Sequence, residues 1–184
     1  MEMNLATMNL ALDTLGQLLG DRNLHYECVA CGSASMLLLG LSLKSAKEVS
    51  VLAMVESHEF VKANPLPQEF ERAVQDIGHA VNLKSGWIQP VGIELFDCLP
   101  DGFTSRMHTR QHGNLRLHLT ARIDQIYISL FQAVSEGPLS KHYKDLKNLK
   151  PTAEELQGAA SWCLKRDHAV EFGLSLDALI KAFG

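Results

Sequence analysis

The residues best placed to do chemistry lie between Cys31 and Val55, in the stretch CGSASMLLLGLSLKSAKEVSVLAMV. Gly32 and Ser33 form a turn ahead of an apolar helix. Such a turn leaves backbone N–H groups unpaired at the positive end of the helix dipole, an arrangement that receives phosphate. Gly32 lets a ligand approach the backbone closely, and Ser33 can cap the helix or hydrogen-bond an anion; capping is the commoner role. Further on, Glu48 and Ser50 stand two apart on a β-branched run, so their side chains share one face. Acids at both positions would converge on a divalent cation. Nucleotidyl transfer uses such a pair, because Mg2+ bridges the triphosphate and activates the attacking hydroxyl. Here one member is a serine, so one carboxylate is left.

Two other groupings carry metal-like spacing. Cys28 and Cys31 make a C-x-x-C, but a structural zinc site takes four ligands, and Cys98 and Cys163 are isolated. Small buried thiols near a strand end are the simpler reading. His108 and His112 are four apart in the polar RMHTRQHG, which reads as a loop with two solvated histidines and lacks the acid of an H-E-x-x-H helix.

These residues need elements to hold them. Leu5, Met8, Leu12, Leu15 and Leu19 recur at helical spacing up to Gly20, giving a first amphipathic helix. HYECVA predicts a strand that turns into a helix over Ala34 to Leu41. EVSVLAMV predicts a second strand, apolar on both faces and therefore central. After Pro65 and Pro67 a helix starts near Gln68, with Phe70, Val74, Ile77 and Val81 on its buried side. The span from Leu83 to Gln111 is irregular, with a short strand at VGIELF, and LRLHLTA alternates as a half-exposed strand from Leu115. The rest is helical: RIDQIYISLFQAVSEG with Asp124 near its start, SKHYKDLKNL, TAEELQGAASWCLKRD with capping-box spacing at Thr152 and Glu155, and VEFGLSLDALIKAFG. Trp87 and Trp162 read as core or junction aromatics. The fold class is α+β: residues 1–120 form a small mixed-sheet core with flanking helices, and residues 121–184 a helical region packed on it.

Taken together, CGSASMLLLGLSLKSAKEVSVLA resembles the opening motif of the polymerase-beta-like nucleotidyltransferase superfamily, a Gly-Ser turn, a helix and an Asp-x-Asp strand. More closely, the chain is similar to a bacterial family of nucleotidyltransferase-like proteins related to the nucleotidyltransferase toxins of toxin–antitoxin and abortive-infection systems. The likeness runs on through LPDGF, SKHYKDLKNLKPTAEEL and AASWCLKRD. It implies that Gly32 and Ser33 hold phosphate, that Lys47 is the basic residue before the acidic pair, and that Glu48 and Ser50 occupy the two metal-carboxylate positions. Ser129 stands where the family has a lysine facing the triphosphate, and Cys31 where it has a second glycine. Asp124, Lys141, His142, Asp145 and Leu146 keep the later pattern, which places His142 near the cleft. Read without the resemblance, Lys141 and Asp145 are an ordinary helix-surface pair worth about 0.3 kcal/mol.

The departures fall on the groups that transfer needs most: a second metal carboxylate, and the cation that would steady the moving phosphoryl charge. The resemblance therefore implies a scaffold whose Mg2+-dependent use of a nucleoside triphosphate is weak or lost, with nucleotide or partner binding retained. One alternative is an active toxin-type enzyme that modifies protein or RNA, with Glu48, Glu56 and Asp145 as its carboxylates. Another is a regulatory module that docks a cognate antitoxin or toxin through its helical third. With 184 residues, 46% hydrophobic and 21% charged, the chain can bury a sizeable core. A net charge of −4 argues against general nucleic-acid binding. The basic KHYKDLKNLK is a solvated helix face or a lysine ring beside a nucleotide. No stretch is long enough to span a bilayer, and the acidic N-terminal segment lacks a basic leader, so a cytoplasmic protein is expected.

Overall fold

A computed structural model describes residues 2–41, 45–91, 96–97 and 99–183. The fold is α+β and built on a six-stranded mixed sheet. The chain divides into two compact units, Met1–Asp97 with Thr104–Thr120, and Cys98–Phe103 with Ala121–Gly184.

In the first unit, helix α1 (Leu5–Asp21) opens on Asn4, whose side chain accepts from the Thr7 N–H at 2.9 Å. That bond satisfies one of the helix's orphan donors. Met8, Leu12, Leu15 and Leu19 are buried as their spacing requires. Leu5 is 41% exposed, so the buried stripe begins one turn later than the sequence suggests, and the helix runs through Gly20 to Asp21. Strand β1 (Tyr26–Cys31) leads directly into helix α2 (Gly32–Leu38). Strands β2 (Val49–Glu56), β3 (Glu59–Lys62) and β4 (Ile88–Pro90) follow, with helix α3 (Gln68–Ala80) between the last two. The single turn α4 (Phe103–Arg106) precedes β5 (His108–His112) and β6 (Leu115–Leu119).

The strand order is β3-β2-β1-β6-β5, with β4 also on β2. β1 runs antiparallel to β2 and parallel to β6, so β1 is central with both edges paired. Cys28, Ala30, Val49, Val51, Met54, Leu115, Leu117 and Leu119 line one face and join the apolar stripes of α1 and α3 in one core. Each leucine or valine buried there contributes about 2 kcal/mol. Trp87, 1% exposed, donates from Nε1 to the Val74 carbonyl at 2.8 Å, so its one polar atom is satisfied inside that core. Thr120, just past β6, donates from its hydroxyl to the Ala30 carbonyl at 2.8 Å and holds the end of β1 to the end of β6.

The region expected to be irregular carries β4 and β5. His108–His112 is a strand and not a loop. It lacks apolar alternation because it is an edge strand whose pairing with β6, not a buried face, fixes it. His112 is only 6% exposed, and its Nδ1 meets the Asp13 carboxylate at 2.6 Å, which corrects the reading of two solvated histidines. The strand expected at VGIELF falls mostly on residues 92–95, outside the described residues, as does Cys98.

The second unit holds four helices among its described residues: α5 (Arg122–Glu136), α6 (Lys141–Leu149), α7 (Ala153–Arg166) and α8 (Val170–Lys181). Gly137 ends α5 at φ +88°, and Ser140 caps α6 by accepting from the Tyr143 N–H. Thr152 and Glu155 form the capping box of α7. Lys150 closes α6 in the left-handed region. The Arg122 guanidinium pairs with Glu155 and donates to the carbonyls of Leu149 at 2.8 Å and Lys150 at 3.1 Å, so one side chain ties three segments. Tyr127 and Phe131, both half-buried, pack ring against ring on the buried Trp162 and Phe172. None of the described helices is long and apolar enough to cross a membrane.

Candidate functional site

The site expected around KEVSV begins where β1 stops. Gly32 has φ +72°, a backbone shape that any side chain would strain. Cys31, the residue before α2, caps it with no side-chain hydrogen bond. Ser33 is half-buried. β2 then brings the next candidates alongside. Cys31 pairs with Ser50 in the β1–β2 ladder, and a Cβ built on Gly32 would lie 3.9 Å from Ser50 Oγ. A ligand seated against the Gly32 turn is therefore within reach of position 50.

Glu48 precedes β2 by one residue, and both Glu48 and Ser50 are half-buried and flank the buried Val49. Ser50, paired with Cys31, lies on the face opposite the α1–α3 core, while Glu48 stands just outside the strand. The segment is anchored at two points: the Val49 N–H donates to the Trp87 carbonyl at 2.7 Å, and Ala46 and Met3 exchange backbone bonds at 2.7 and 2.9 Å. Lys47 is exposed.

The remaining expected residues belong to the second unit. Ser129 is buried on α5 at 3% exposure, and Asp145 on α6 at 8%. Lys141 and His142 occupy the first turn of α6, with Lys141 exposed and His142 half-buried. His142 Nε2 lies 3.4 Å from a Glu136 carboxylate oxygen. Burial pushes the His142 pKa below its ordinary value, and Lys141 pushes the same way, while Glu136 pulls it back up.

The C-x-x-C is not a chelate. Residues three apart on a strand point to opposite faces, and Cys28 faces the α1–α3 core while Cys31 sits beside Ser50. Burial pushes the Cys28 thiol up to about 12, so it stays protonated. Among the described residues no group of three or more His, Cys, Asp and Glu side chains is placed to hold a metal ion.

Sequence reasoning missed a second polar grouping on the same sheet face. Thr109 on β5 stands directly opposite His118 on β6, and Glu27 on β1, registered with Arg116, reaches His118 diagonally. His118 Nε2 is 2.5 Å from Glu27 Oε1, and His118 Nδ1 is 2.9 Å from the Thr109 hydroxyl. The imidazole is 14% exposed and Glu27 22%. Arg116 flanks them, 3.5 Å from Glu27 Oε2 and 3.2 Å from Gln111 Oε1. The available signal was the alternation of LRLHL, which assigns Arg116 and His118 to the non-core face; their partners come from distant sequence and register alone brings them there.

No protein-family model, curated protein or solved structure matches the chain.

Proposed function

We propose that the protein is a nucleotidyltransferase-like scaffold that binds the phosphates of a nucleotide at the Gly32 turn without efficient metal-dependent transfer. The observation that carries this reading is the junction of β1, Gly32 and β2. A glycine at φ +72° opens α2 at the end of a central strand, and Ser50 stands beside it where transfer would place a carboxylate. Phosphate oxygens would meet the Ser33 hydroxyl and the positive end of the α2 dipole at the Gly32 turn. Mg2+ does not fit the donor set: Glu48 supplies one carboxylate and Ser50 a neutral hydroxyl, whereas this ion is held chiefly by anionic oxygens. No catalytic step is therefore routed through a metal. Lys47 would lend a screened, exposed charge.

The test is a binding titration with ATP, GTP, CTP and UTP, with and without Mg2+, on the natural protein and on Ser50→Asp. Binding of the natural protein should change little with Mg2+, and the variant should gain metal dependence. The absence of nucleotide binding would remove the proposal. Tight Mg2+-dependent binding with turnover that Glu48→Ala abolishes would replace it with the active enzyme. Ser129→Lys is the less informative variant, because a lysine at a position 3% exposed carries a desolvation cost of its own.

A partner-docking role draws on a separate observation in the helical unit. Leu164 on α7 and Val170 and Leu174 on α8 are 46, 74 and 66% exposed. A patch built from these side chains would suit a protein partner rather than a polar acceptor substrate. Replacing Val170 and Leu174 with serine should abolish capture of any partner while leaving nucleotide binding intact.

A further inference from the structure

The Glu27–His118–Thr109 grouping has the connectivity of a nucleophile, a general base and an orienting acid. Glu27 as a carboxylate can only accept, so His118 Nε2 must carry the proton of the 2.5 Å bond. In a neutral imidazole the other nitrogen, Nδ1, is then a lone pair. It accepts the Thr109 hydroxyl proton over 2.9 Å. The tautomer needed to activate the hydroxyl is thus set by the carboxylate behind it. The ring is mostly buried while Thr109 is exposed, so the base is sheltered and the nucleophile open to a substrate.

Two further features bear on what would be attacked. Among the described residues no strand pairs with the outer side of β5, so alternate backbone N–H groups along it point away from β6 and can donate to a carbonyl oxygen near Thr109. Arg116, registered with Glu27 on the same sheet face, is engaged by Glu27 and Gln111, which disfavours a phosphoryl group and favours an uncharged acyl group. We infer that Thr109 is an acyl-accepting nucleophile activated by His118, with Glu27 as its positioning residue, and that the substrate class is a carboxylic ester. This does not depend on nucleotide binding at Gly32.

The step balances as follows. Thr109 Oγ1 bonds to the ester carbonyl carbon as its proton passes to His118 Nδ1. The carbon–oxygen bond to the alcohol breaks, and His118 returns that proton to the departing alkoxide. Water then adds to the acyl-threonine with His118 taking its proton; the bond from the acyl carbon to Thr109 Oγ1 breaks, His118 returns the proton to that oxygen, and the acid leaves. The net change is ester plus water to acid plus alcohol.

The experiment uses the full chain with p-nitrophenyl acetate, following nitrophenolate release and mapping the acetyl group by peptide mass spectrometry. The acetyl should be found on Thr109. Thr109→Ser should keep the activity, Thr109→Val should remove it, and His118→Gln should lower the rate about a hundredfold. Glu27→Gln should lower kcat with KM unchanged, and Glu27→Asp should restore part of it, a split that a merely structural carboxylate would not give. Acetyl found only on lysine or histidine side chains of the natural protein would overturn the inference, whatever the variants do. Release unaffected by Thr109→Val would overturn it equally.

Discussion

Gly16→Ala tests how α1 is seated on the sheet. In an isolated helix this change is favourable by about 1 kcal/mol, because glycine is the poorer helix former. Here the added Cβ would lie 1.6 Å from the His112 carbonyl oxygen and 2.4 Å from its carbon, with Gly113 N at 3.1 Å. These are backbone atoms of the β5–β6 turn and cannot swing aside as a side chain tip would. Non-bonded contacts settle near about 3.5 Å, so helix and turn would have to part by roughly 2 Å. That movement strains the 3.0 Å bond from Asn114 N–H to the Gly16 carbonyl and the 2.6 Å contact of His112 with Asp13.

Overpacking costs about 1–3 kcal/mol and each of the two weakened hydrogen bonds about 1 kcal/mol, so after the helix-propensity gain the net loss is about 2–4 kcal/mol. Gly20→Ala, one turn further along, is the control. Its Cβ would meet only the Asn114 side chain at 3.5 Å, an ordinary contact, so this variant should be neutral or gain up to about 1 kcal/mol. Urea unfolding followed by circular dichroism separates the two. If Gly16→Ala proves as stable as Gly20→Ala, the close approach of α1 to the β5–β6 turn is wrong.

Two other perturbations have expected outcomes. Arg122→Ala removes the contacts to Glu155, Leu149 and Lys150 and should cost about 1–2 kcal/mol after allowance for solvent screening; Arg122→Lys should recover only part of it, since an ammonium lacks the planar fork. The hydrogen bond from Arg122 is the main reason the Glu155 carboxyl titrates below its ordinary 4.5. A depressed carboxylate stabilises the fold above its unfolded pKa and ceases to do so as pH falls through the folded value, so stability should drop below about pH 4.5 in the natural protein, and Arg122→Ala should flatten that part of the profile. His142 should titrate below 6.5 by NMR, with Glu136→Gln moving it lower still and Lys141→Ala moving it up. With its folded pKa depressed, its contribution is present above that ordinary value and is lost as pH falls through the folded one.

The elements that sequence predicts well are those whose signal is local. Residues Phe70, Val74 and Ile77 repeat at helical spacing behind Pro67, and α3 begins at Gln68 as that pattern requires. Thr152 and Glu155 satisfy each other within one turn, so their motif needs no distant partner. LRLHL alternates because one face is buried and the other polar. HTRQH was illegible for the opposite reason, since an edge strand held by its neighbour's backbone needs no apolar pattern. Its one local cue is Gly113–Asn114, a two-residue hairpin connection between His112 and Leu115. At the site, the periodicity of the run predicts that Glu48 and Ser50 share a face, and the closeness of Ser50 to Gly32 follows from the β1–β2 register. Glu27, His118 and Thr109 come from segments that have nothing in common until the strands are ordered, so no spacing rule could have joined them.

The burial of thiols in both units gives the molecule a built-in reporter of its own opening. Cys28 and Cys31 are enclosed by the sheet, and Cys163 by the helices. An alkylating reagent reaches none of them until its surroundings breathe, so labelling of each is paced by loosening of the layer around it. Mass mapping of the adducts over time would therefore rank the sheet and the helical bundle by how often each one lets go.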